Sequence, residues 1–178
     1  MFKHLHYSKQ SIIFTTKSGI LEVSQTNTDY QLSFPATVPI EIKAPDILLE
    51  ALGVKSATIL SAFDYVVVLN SQCDVQNINP NFSKLKTLDL RGVIVTAPGD
   101  SVDFVSRSFF PKYGVDEDPV TGSAHCELTP YWASRLSKNK LTAKQLSKRT
   151  GLIGCELQGD KVRLTGKAVD YMSGTINY

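Results

Sequence analysis

The sequence predicts an α+β fold, a curved and mostly antiparallel sheet wrapped around one central helix. Three observations carry that reading. Short apolar runs with strand-like patterning recur along the chain, separated by turn residues. One helical pattern, from Gly122 to about Leu136, is much longer than any other. Near the end, Gly159-Asp160 sits between two strand patterns, as a hairpin turn does.

Taken in order, residues 11 to 34 alternate, with Ile12, Phe14, Leu21, Val23, Leu32 and Phe34 on the apolar face. Ser18-Gly19 and Asn27-Thr28-Asp29 form the turns. Pro35, Pro39 and Pro45 mark residues 35 to 45 as a linker. Asp46 to Leu52 reads as a short helix that Gly53 stops. Tyr65 to Leu69 is continuously apolar, hence a buried strand. Pro80 to Leu88 suggests a helix capped near Asn79 or Asn81. Gly92 to Ala97 and Val102 to Phe110 read as strands, the second with Phe104, Ser106 and Ser108 on one face. On the long helix, Leu128, Tyr131, Trp132 and Leu136 share one side, and Pro130 predicts a bend. Strands follow at Ala143 to Ser147, Leu152 to Leu157, Lys161 to Thr165 and Tyr171 to Ile176.

Composition narrows the function. A chain of 178 residues can bury a sizeable core. Its net charge of +2 and scattered lysines argue against a nucleic-acid surface. The mildly basic stretch from Lys138 to Arg149 reads as a solvated face. No apolar run approaches the roughly 20 residues that span a bilayer, and Met1 to Gln10 lacks the apolar region of a secretory signal. Three widely spaced cysteines, Cys73, Cys126 and Cys155, suggest free thiols and a cytoplasmic location.

The chemistry concentrates in Glu117-Asp118-Pro119-Val120-Thr121-Gly122-Ser123-Ala124-His125-Cys126. A helix start presents unpartnered N–H groups at the positive end of the helix dipole. Small residues there let an anion approach the backbone. Asp118 lies just outside that end. Thr121 or Ser123 would equally serve as the helix cap, with Asp118 a dipole partner. Spacing alone leaves both readings open.

Asp118-Pro119-Val120-Thr121-Gly122-Ser123-Ala124-His125 resembles the signature of the phenazine-biosynthesis-like (PhzF) isomerase family. Agreement continues in Arg91 to Ala97, Asp103 to Arg107, Phe110-Pro111, Leu128 to Trp132, Gln145 to Arg149 and Gly166 to Val169. The resemblance implies a diaminopimelate-epimerase-like fold of two lobes, with the active site between them. On that reading residues 1–38 are a remnant of the first lobe and 39–170 a complete C-terminal lobe. Residues 171–178 are then a final strand returning to the first lobe. The family's acid/base glutamate and its Gly-His-Ala-Thr segment have no counterpart here, so the chain is expected to lack the front of the first lobe. Met1 to Leu5 resembles the tail of the helix that Gly-His-Ala-Thr opens, and His4 and His6 are expected at an exposed helix end.

The resemblance implies cofactor-free isomerisation of a small carboxylate metabolite. Asp118 and Ser123 match the family's catalytic positions, and Thr121, Gly122, Ser123 and Ala124 match its substrate-binding turn. No metal is expected, because His125, Cys126 and Asp118 lack ligand spacing. A homodimer is expected, since a first-lobe remnant exposes sheet edges and apolar strand faces, or else a second chain that supplies the missing lobe; the composition leads to no nucleic-acid or membrane partner being expected. A rival reading is a non-enzymatic anion-binding or assembly module. Another is a thiol hydrolase using Cys126 and His125, disfavoured because adjacent helix residues point about 100 degrees apart. Glu117 reads as a dipole-stabilising loop acid. Arg149 suits either an ion pair in the site or the surface. It stands in Arg149-Thr150-Gly151 where the family usually has Arg-Gly-Gly.

Overall fold

Alternating apolar residues fold into one sheet of twelve strands in the computed structural model, which describes residues 9–16, 19–26 and 28–175. The first strands are β1 (Ser11–Thr16), β2 (Gly19–Gln25), β3 (Tyr30–Pro35) and β4 (Ile40–Glu41). Helix α1 (Asp46–Leu52) follows and stops at Gly53, which adopts the left-handed conformation at φ 67°. Next come β5 (Thr58–Ser61), β6 (Tyr65–Val68), α2 (Gln72–Asn77), α3 (Phe82–Leu85), β7 (Val93–Pro98) and β8 (Phe104–Phe110). A 3-10 turn at Pro111–Tyr113 leads to β9 (Val115–Asp118) and the long helix α4 (Gly122–Leu136). The chain ends its regular structure with β10 (Lys140–Gln145), β11 (Gly151–Gln158) and β12 (Lys161–Gly166).

Strand order is β1-β2-β3-β12-β11-β10-β8-β7-β6-β5-β4, with β9 paired to β8 off this path. Every pairing is antiparallel except β10 with β8 and β6 with β7. Side chains alternate across β6 to β8 and fill both faces. Tyr65, Val67, Val93, Val95, Val105 and Phe109 pack under α1 to α3. Val66, Ile94 and Phe104 face α4 instead, together with Leu141, Ile153, Cys155, Val162 and Leu164 from β10 to β12. The sheet thus curls around α4. Residues 124 to 130 of that helix are all buried, the polar His125, Glu127 and Thr129 among them, so it has no exposed side over this stretch. The expected one-sided apolar stripe is corrected by this: a helix enclosed by a curled sheet buries its whole circumference, while Leu136, beyond the enclosure, is exposed.

Pro130 does not interrupt the helix. An interior proline removes one backbone bond and costs about 3 kcal/mol if nothing replaces it. Here the released carbonyl of Cys126 accepts the N–H of Thr37 at 3.1 Å. The proline-marked linker is therefore fastened to the central helix. The N–H of Ala36 next door donates to the carbonyl of Asp160.

Strands β1 to β3 continue the same sheet, because β3 pairs with β12 from Tyr30–Gly166 to Pro35–Lys161. Ile13 and Ile20 on the edge hairpin are 65 % and 70 % exposed, which leaves an uncovered apolar face. Residues 171–175 carry no strand and lie exposed. A strand needs a neighbour for its N–H and C=O groups, and none of the described strands pairs with this segment. The readings at His4, His6 and Met1 to Leu5 lie outside the described residues, as do Ser18 and residues 176–178 of the expected final strand.

Candidate active site

The acidic run before α4 is a strand, and its last residue, Asp118, stands opposite Ser108 of β8. Thr121 occupies the N-cap position of α4 with extended backbone, yet no side chain caps the helix. The Thr121 hydroxyl donates instead to Asp118 Oδ2 at 2.6 Å. The fully buried Gln145 of β10 braces this arrangement. Its Oε1 accepts the Thr121 N–H at 2.8 Å, and its Nε2 donates to the Asp118 carbonyl at 2.6 Å and to Thr121 Oγ at 3.2 Å. Ser147 Oγ donates to the Pro119 carbonyl at 2.6 Å. The capping role is thus left vacant by the residue best suited to it, and the positive amino end of α4 faces the Asp118 carboxylate and the cavity beside it.

Close packing fixes the loop from below. A Cβ on Gly151 would come within 2.3 Å of Val120 Cγ2, so only glycine fits there. Its neighbour Thr150 has φ 60°, a left-handed conformation that costs a β-branched residue on the order of 1–2 kcal/mol. The resemblance noted above places glycine at this position. Thr150→Gly is expected to raise stability by about 1 kcal/mol after the entropy of glycine is subtracted. A higher urea midpoint with an unchanged slope is the confirming measurement.

Asp118, Thr121 and Ser123 line one cavity of about 350 Å3, with Arg91, Phe110, Tyr113 and Val115. Gly122 and Ala124 do not line it. Gly122 faces a groove beside Leu164, and the Ala124 side chain is buried in the core around α4. Successive helix residues rotate by about 100 degrees, so a contiguous motif cannot aim every side chain at one cavity.

Arg91 is the site residue that sequence reasoning missed. Its Nη2 donates to Ser123 Oγ at 3.0 Å, and Nε donates to Asp64 Oδ1 at 2.9 Å. Nη2 also pairs with Asp64 Oδ2. The guanidinium lies 5.2 Å from the Phe110 ring centroid, a cation–π contact. Asp64 is fully buried, so this bidentate pair holds Arg91 at the cavity wall. Arg91-Gly92 was part of the resemblance, but partners 27 and 32 residues away leave no local sign of its role.

Several other readings resolve. Glu117 forms a bidentate ion pair with Arg107, at 2.7 and 2.9 Å, in place of a helix-dipole contact. The same arginine donates to the Ile78 carbonyl at 2.7 Å just beyond α2. Arg149 is exposed and lies in neighbouring grooves, not in the Asp118 cavity. His125 is fully buried, with Nδ1 at 2.7 Å from the Thr121 carbonyl, so Nδ1 carries the proton. Burial pushes its pKa down to about 4. Burial pushes the Cys126 thiol up to about 12. A neutral histidine and a thiol held protonated do not form a nucleophilic pair. Among the described residues, no group of three His, Cys, Asp or Glu side chains is placed to hold a metal ion. Nor is any described helix long and apolar enough to cross a membrane.

The sequence pattern of the phenazine biosynthesis-like protein family (PhzC-PhzF) matches residues 1–174. The chain belongs to this family. An uncharacterized isomerase of Pseudomonas aeruginosa is 47 % identical over 164 residues, covering 92 % of the chain and 63 % of that protein. The chain therefore spans under two thirds of that relative's length. The crystal structure of a putative phenazine biosynthesis PhzC/PhzF protein from Clostridium difficile is 42 % identical with a TM-score of 0.91. It covers 98 % of the chain, which spans 68 % of it. A hydroxyproline epimerase from Agrobacterium vitis superposes with a TM-score of 0.51 at 9 % identity, covering 96 % of the chain and 60 % of the epimerase. That likeness shows the fold alone, an epimerase-like one.

Proposed function

We propose that this phenazine biosynthesis-like chain carries the C-terminal half of an isomerase site acting on a small carboxylate metabolite. The supporting observation is the convergence of Asp118, Ser123, Arg91 and the uncapped start of α4 on one cavity. The carboxylate of the metabolite sits against the N–H groups of α4 and the Arg91 guanidinium. Asp118 takes or returns a proton at the carbon beside an acidifying group. Ser123 orients the carboxylate through its hydroxyl. No cofactor enters this scheme. The second proton-transfer group, a glutamate in the family, comes from a segment or a partner chain outside these residues. The free thiols of Cys73, Cys126 and Cys155 suit a reducing cytoplasm.

A second reading, an anion-binding module that assembles with another copy, draws on the exposed Ile13, Phe14 and Ile20 of the edge hairpin. Proton NMR of 2-amino and 2,3-unsaturated carboxylates in heavy water separates the two. Protein-dependent loss of one C–H signal is the expected result. Binding without exchange favours the module, and absence of both overturns the anion site.

A further inference from the structure

Behind Arg91 lies a second carboxyl that the proposed reaction does not use. Glu127 sits on α4 four residues beyond Ser123 and is fully buried. Its Oε2 accepts the backbone N–H of Asp64 at 3.4 Å, and its Oε1 has no hydrogen-bond partner. Asp64, also fully buried, gives both carboxylate oxygens to Arg91. Arg91 in turn reaches Ser123 and the cavity. Two buried carboxyls thus share one cation, and only the cation touches the site.

We propose that Glu127 is a positioning residue that acts on the bound anion through Asp64 and Arg91. The proposal rests on the anion-site reading above and extends it. With Glu127 protonated, Arg91 and Asp64 cancel, and the group of three is neutral. The dipole of α4 then meets the anion with Asp118 as the one carboxylate lining the cavity. With Glu127 ionised, the group carries one net negative charge beside the cavity, and the anion is repelled. The unpartnered Oε1 matches a carboxyl kept neutral, since an ionised oxygen buried without a donor is costly.

Burial first, and the charge of Asp64 second, raise the Glu127 pKa from its ordinary 4.5 to about 8. The titratable and charged groups around it are Asp64 on the turn before β6, Arg91 before β7 and Cys126 on its own helix. Tyr113 and Asp118 lie across the cavity. Cys126, held near 12, does not titrate in the same range. The sign follows from the raised value. Between 4.5 and 8 the folded chain keeps a proton that the unfolded chain has released, so stability falls as pH rises through this window.

The test uses the whole chain with carbon-13 in the glutamate carboxyls and nitrogen-15 in arginine. Benzoate serves as the anion probe, suited to the walls of Phe110, Tyr113 and Val115. In the unaltered protein the Glu127 carboxyl signal is expected to titrate near pH 8, with the Arg91 Nε–H signal moving in step. Benzoate affinity is expected to fall about tenfold from pH 6.5 to 9.5. In Glu127→Gln the Arg91 signal stays still over that range and the affinity changes less than about twofold. A merely structural glutamate would move neither the Arg91 signal nor the pH profile. A static Arg91 signal while Glu127 titrates overturns the proposal. So does an unchanged benzoate profile in Glu127→Gln. If benzoate binds at no pH but Arg91 follows Glu127, the anion reading fails and the coupling stands. The titration of the unaltered protein decides the matter even if the variant does not fold.

Discussion

Asp118→Asn is expected to slow proton exchange into the metabolite by roughly 10²- to 10⁴-fold, the usual contribution of a positioned acid or base. Asparagine keeps the shape of the side chain and an oxygen able to accept from Thr121 Oγ, at 2.6 Å from Asp118 Oδ2. The Gln145 bonds to the Asp118 carbonyl and to Thr121 are independent of the carboxylate. Stability should therefore change by less than about 1 kcal/mol. What the variant lacks is a carboxylate that can take a proton from the metabolite and return it. Benzoate should still bind, because Arg91, Ser123 and the amino end of α4 are untouched. Exchange rates in heavy water, beside melting curves, make the distinction. A rate equal to that of the unaltered protein would remove Asp118 from the mechanism.

Trp132→Ala is expected to cost about 3–5 kcal/mol, the range for truncating a large buried aromatic. Trp132 is 1 % exposed inside the curl of the sheet. Its ring stacks on Phe104 with centroids 5.7 Å apart and meets Tyr131 edge-on at 5.2 Å. Its indole N–H donates to Thr96 Oγ at 3.0 Å. Alanine would leave a void among β7, β8 and α4 that rigid strands cannot collapse to fill. It would also take away the donor that Thr96 Oγ accepts. Natural domains are stable by only about 5–15 kcal/mol, so the variant would sit near the edge of folding. Urea unfolding is the measurement. A loss under about 1 kcal/mol would mean that the indole is not enclosed as described.

Much of this architecture was legible because its signals are local. The bounds of α4 follow from the Thr121-Gly122-Ser123 start and the fading of the pattern after Leu136. Asn81 caps α3, accepting the Lys84 N–H at 3.1 Å. Gly159, at φ 61°, turns β11 into β12. Helix α2 was overlooked although its signal is present: Ser71 Oγ accepts the Asp74 N–H at 3.2 Å, a cap three residues ahead of its acid. Strand β9 hid among acidic residues, which are depleted in strands; here Glu117 is paired with Arg107. In the site, Asp118, Thr121 and Ser123 were readable because they are contiguous. Asp64 and Glu127 were not, and Arg91 and Gln145 showed only as parts of the resemblance, without their roles. Each is recruited by a partner far along the chain, and periodicity carries no trace of that.

The pairing of β3 with β12 has a consequence for biosynthesis. A ribosome works from the amino end at about 5–20 residues per second. Strand β3 therefore emerges on the order of ten seconds before the strand it must join. Until then its inner edge is bare, and the Cys126 carbonyl meant for Thr37 is itself made only about ninety residues after its donor. The nascent chain can bury the cluster under α1 to α3 early, but it cannot close the seam at β3. It must hold its first three strands in waiting, exposed to mispairing with any other bare strand, until the last strand closes the seam.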